Sequence, residues 1–158
     1  MGREYVTALK ESLEKKLKVL EELYRLCLSQ SELLNKEELD YEAFDTLVDE
    51  KDICIEKLEK LDEGFEIVYN RVKPELESNK AMYAAEIKAM QELIVKITDK
   101  STSITALEER NKKGVTATLK RDKKGLSESK RSVSVAMNYY KSMNGINVPD
   151  SQYLDKKK

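Results

Sequence analysis

EYVTALKESLEKKLKVLEELYRLCLSQSELL, residues 4–34, decides the fold. Tyr5, Leu9, Leu13, Leu17, Leu20, Tyr24, Cys27, Ser31 and Leu34 follow one another at steps of three or four. In a helix of 3.6 residues per turn those steps place them on one face. Glu and Lys occupy the opposite side, so the segment predicts one long amphipathic helix. It ends near Asn35, and Asp40 is suited to cap the helix that follows.

The same reading carries onward. Phe44, Leu47, Lys51, Cys54, Leu58, Leu61, Phe65, Val68 and Val72 form a second stripe, over a helix expected from about Tyr41 to Arg71. Lys51 interrupts that stripe, which predicts a snorkelling or bridging ammonium. Gly64 weakens the helix locally, and Pro74, which lacks a donor and crowds the preceding turn, is expected to end it. A third helix is expected from Ser78 or Asn79, with Ala81, Ala85, Met90, Ile94, Ile97, Ser101, Ile104, Leu107 and Asn111 in its stripe. Each helix would be about 50 Å long at 1.5 Å per residue. Short connections make neighbours antiparallel. The expectation is an all-α, elongated, coiled-coil-like three-helix bundle over residues 1–112.

Beyond Lys112 the pattern thins. Gly114 and Gly125 enter with a run of Ser and Thr, and helix propensity falls. Leu119, Leu126, Val133 and Tyr140 still recur every seven residues, with Val115 and Ala136 beside them. A weak amphipathic helix of this kind orders best against another surface. Residues 113–143 therefore read as a partner-binding helix, with Val115, Leu119, Leu126, Val133, Met137, Tyr139 and Tyr140 as its contact residues. Tyr139 and Tyr140 point about 100° apart on a helix, so both rings cannot share the stripe. The NG at 144–145 and VPD at 148–150 break the helix and leave residues 144–158 as a flexible tail.

Composition narrows the chemistry. The 158 residues include no histidine, which removes the commonest general base and zinc ligand. The carboxylate pairs at 21–22, 37–38 and 108–109 fall on expected solvent faces, and no glycine-rich phosphate loop is present. Neither enzymatic activity nor a cofactor is expected. Net charge is −1, but residues 1–80 hold 21 acidic and 13 basic side chains, whereas residues 81–158 hold 9 and 16. Arg110 to Arg131 is the most basic stretch, yet no aromatic interleaves it to stack bases, so nucleic acid is not an expected partner. No apolar run is long enough for membrane insertion, and the first residues lack a signal-peptide pattern. Cys27 and Cys54 lie on apolar stripes, as reduced core thiols do, and the cytoplasm is the expected compartment.

The arrangement resembles the FlgN-like flagellar export chaperones. A long first helix precedes the Asp-capped YEAFDTLVDEKDICIEKLEKL, with its central Glu50-Lys51 step. A third helix follows, then a polar segment, the small-residue and aromatic VAMNYYKS, and the ending SQYLDKKK. The resemblance implies a cytoplasmic, non-enzymatic chaperone that binds hook–filament junction proteins, largely through its C-terminal helix. It also implies delivery to a flagellar export gate component, with a tyrosine near the chain end (Tyr139 or Tyr140) taking part in docking. Junction proteins carry helical ends that pair as coiled coils, and a heptad stripe is suited to cover such an end. Two alternatives stay open: a FliT-like chaperone of the filament cap protein, and a structural coiled-coil protein that forms homodimers through its long helices.

Overall fold

In the computed structural model, residues 2–121 are described. They form three α-helices: α1 (Gly2–Leu34), α2 (Tyr41–Ser78) and α3 (Ala84–Arg121). The bundle expected from the sequence is present. Side-chain pairings set its direction. Lys16 meets Asp62, and Gln30 meets Lys51, so α1 and α2 run antiparallel. Arg3 meets Glu86 and Ser31 meets Asn111, so α3 returns parallel to α1. No Cα atom of α2 comes within 8 Å of one in α3, whereas α1 packs closely on both. The first helix is therefore the central one.

That position explains its wide buried sector. Val6, Leu9, Leu13, Leu20, Leu23, Leu26 and Cys27 are buried, and so are Lys16 and Gln30. Tyr5, Leu17 and Tyr24, which the heptad steps put on the same stripe, are only half-buried at its margin. A helix facing two neighbours needs more than one narrow seam.

Local chemistry sets the helix ends. Asp40 adopts extended backbone (φ −79°, ψ 96°), and its side chain accepts a 3.0 Å hydrogen bond from the Ala43 amide. Pro74, expected to end α2, does not: the helix continues to Ser78. Asn70, whose carbonyl would have received the missing proline donor, and Pro74 itself are both exposed, so that carbonyl can be solvated. Val72 and Leu76, on either side, are fully buried. Burying each is worth roughly 1.5–3 kcal/mol, which offsets the ~3 kcal/mol cost of an internal proline. Asn79 then closes α2, its amide and its side chain both donating to the Glu75 carbonyl. The third helix starts later than expected, at Ala84, because residues 79–83 form a turn. Buried Tyr83 anchors that turn by donating to Glu75 Oε1 at 3.0 Å. The same carboxylate lies against Gly2, where a side chain would require Glu75 to shift.

Two apolar clusters share the interior. The larger spans most of the bundle, and the smaller holds Phe44, Val48 and Val115 near the α1–α2 turn. Between them lies a polar layer. Lys51, only 2% exposed, donates to Gln30 Oε1 at 2.6 Å and to Glu108 Oε1 at 2.7 Å. All three helices thus meet through one ammonium group. Glu108, expected on a solvent face, is instead 1% exposed. One turn further, Asn111 donates to the Cys27 carbonyl at 3.0 Å and accepts from Ser31 Oγ at 2.6 Å.

A buried ion pair with one partner removed leaves an uncompensated charge. Lys51→Met alone is therefore expected to cost about 3–5 kcal/mol in urea unfolding. Lys51→Met combined with Glu108→Leu should recover most of that loss. A double variant no more stable than the single one would contradict the pairing.

Candidate interaction surface

Of the residues expected to meet a partner, Val115 and Leu119 lie in the described part of the chain. Leu126, Val133, Met137, Tyr139 and Tyr140 lie outside it. The boundary expected at Lys112 falls inside α3, which runs unbroken to Arg121. Val115 is 6% exposed and packs with Phe44 and Val48. Leu119 is half-buried against the same cluster, which Leu33, Leu34 and Leu39 complete. The start of the seven-residue stripe therefore has an intramolecular partner.

The segment is helical despite its composition, and its glycine and threonines are accommodated locally. Gly114 permits close approach, since a Cβ there would sit 3.2 Å from Leu34 Cδ1. Thr116 Oγ1 donates to the Lys112 carbonyl at 3.0 Å, and Thr118 Oγ1 to the Gly114 carbonyl at 2.9 Å. Such back-bonding satisfies the hydroxyls inside the helix, at a slight cost to helix stability. Lys113, Thr116, Ala117, Lys120 and Arg121 are exposed, so the outward face of these turns is polar and basic. Sequence reading missed Phe44 and Val48 as the partners of this stripe. The available signal was that all three apolar groups sit at bundle positions brought level by an up-down-up topology.

Other chemistry is sparse. Among the described residues no group of His, Cys, Asp or Glu is arranged to hold a metal ion. No described helix is long and apolar enough to cross a membrane. Neither cysteine is in a disulfide, and both are buried. Burial, followed by the nearby Glu22 carboxylate, pushes the Cys54 thiol above its ordinary value. It is thus held in its protonated, weakly nucleophilic form.

Packing at the end of α3 has a measurable consequence. Val115→Ala should lower unfolding free energy by roughly 1–3 kcal/mol, as expected for a shortened core side chain. Ala117→Glu, on the exposed face, should change it by no more than about 0.5 kcal/mol. Equal effects of the two would contradict the packing described.

Comparison with known proteins bears on the chain almost throughout. The sequence matches the family model described as FlgN protein over residues 1–144. No curated protein and no solved structure matches it. The matched span takes in all three helices of the bundle together with Leu126, Val133 and the tyrosine pair, and on that match the chain belongs to the FlgN family of flagellar export chaperones.

Proposed function

We propose that the protein binds hook–filament junction proteins in the cytoplasm, keeps them from assembling early and passes them to the export gate, without enzymatic activity. One observation carries this reading beyond family membership. The seven-residue stripe starts on α3 at Leu119, beside the small cluster of Phe44, Val48 and Val115. In sequence it continues through Leu126, Val133 and Tyr140. Val115 and Leu119 supply the anchorage, and Leu126, Val133 and Met137 the apolar contacts with the client. A client helix with its own heptad stripe pairs with such a surface by mutual burial. Ordering two segments at once offsets part of the binding energy and keeps the complex reversible, as a carrier requires. On a helix Tyr139 and Tyr140 would point about 100° apart, so that one ring would serve the client and the other the gate component.

Co-expression of the full chain with the junction proteins of the same organism, followed by size-exclusion chromatography with light scattering, tests the proposal. The expected result is a stable complex of one chaperone chain with its client. Leu126→Asp with Val133→Asp should weaken it by at least about tenfold, or ~1.4 kcal/mol. Replacing the tyrosine that meets the gate should spare the client complex and abolish gate binding. A complex formed only with the filament cap protein would favour the FliT-like alternative. A homodimer that binds neither client would overturn the chaperone assignment of this surface.

A further inference from the structure

A second surface lies away from the α3 end, on the α1–α2 face. Lys15, Lys18 and Val19 from α1 and Lys57, Lys60 and Leu61 from α2 line a groove of about 410 Å³. The two helices contribute matching pieces, each with lysines three residues apart and an apolar residue directly after the second. Val19 and Leu61 are half-buried, and all four lysines are exposed. The lining is almost wholly hydrocarbon, built from lysine methylenes and the two apolar side chains.

The charge arrangement here runs against its surroundings. Residues 1–80 carry a net charge of −8, from 21 acidic and 13 basic side chains, yet four ammonium groups ring one groove. Glu11, Glu14 and Glu56 lie four residues before Lys15, Lys18 and Lys60, the favourable order for a helical ion pair. None of the four lysines forms an ion pair among the described residues. Lys16 and Asp62, next to the groove, are instead paired with each other at 2.7 Å. An apolar floor with a basic rim whose ammonium groups are not engaged in ion pairs among the described residues complements an apolar stripe flanked by carboxylates.

We propose that this groove docks an acidic amphipathic helix of another protein, with leucine-like residues one turn apart on Val19 and Leu61 and Asp or Glu beside the lysines. The chain's own remaining segment is excluded by charge. Residues 122–158 hold four acidic and eight basic side chains, so the rim repels them. The site is independent of the client surface on α3 and stands whether or not that surface holds a junction protein.

The test uses the full chain and a labelled synthetic peptide of about three heptads, with Leu at the seam positions and Glu around them. A counterpart with Lys in place of Glu is the control. Fluorescence anisotropy should show the acidic peptide binding, weakening as salt rises, and the basic counterpart failing to bind. Lys15→Glu with Lys60→Glu should reduce affinity at least about tenfold. Arg110→Glu with Lys113→Glu, in the other basic stretch, should leave it unchanged. Lys15→Gln with Lys60→Gln should weaken binding in the same direction, and it serves as the test should the charge reversal disturb folding. Equal binding by the groove variants, loss through the Arg110 and Lys113 variant, or equal binding of the two peptides would overturn the proposal. So would a wild-type dimer that the groove variants abolish, because the occupant would then be a second copy of this chain.

Discussion

The Lys51 ammonium is the point on which the bundle turns. It is buried, it lies on α2, and its hydrogen bonds go to Gln30 on α1 and Glu108 on α3. Apolar seams built from Leu, Ile and Val tolerate sliding by a heptad, since one leucine replaces another at little cost. A buried lysine bonded to both other helices does not, because displacement by a turn strands a charge among hydrocarbon. The cost of the layer is visible in Gln30 Nε2 and Glu108 Oε2, buried without a hydrogen-bond partner among the described residues. We read that cost as the counterpart of a fixed register, as single buried polar residues provide in coiled coils. Register in turn brings the last turns of α3 level with Phe44 and Val48.

Much of this was legible in the sequence, and the failures share a cause. The three helices, the Asp40 cap and the anomaly of Lys51 follow from spacing and side-chain chemistry alone. Glu108 was misjudged because its charge outweighed its position: it lies four residues after Ile104 and seven before Val115, on the buried period. A buried cation on one stripe implies an anion on another, and that rule would have singled it out. Pro74 and Tyr83 depended on tertiary burial that no local rule supplies. Of the expected contact residues, Val115 and Leu119 proved to face a cluster assembled from α1, the α1–α2 turn and α2, which spacing along one helix cannot reveal.

The two faces of the molecule differ in kind. Where α3 approaches Arg121 the apolar groups turn inward and the outer surface is basic. On the α1–α2 face, by contrast, a shallow apolar floor opens between exposed lysines. The two surfaces we propose as docking sites thus differ in chemistry and lie on opposite sides of the polar layer that joins the three helices.

Register is the claim to test directly. Spin labels on introduced p-acetylphenylalanine at exposed Glu42 and Ala117 would report the distance between the start of α2 and the end of α3 by double electron–electron resonance. The account predicts one narrow distance distribution for the wild-type layer. It predicts a broad or multiple distribution once Gln30, Lys51 and Glu108 are all replaced by leucine or methionine, even where stability is retained. An equally narrow, unshifted distribution in that variant would show that apolar packing alone sets the register, and would contradict the role assigned to Lys51.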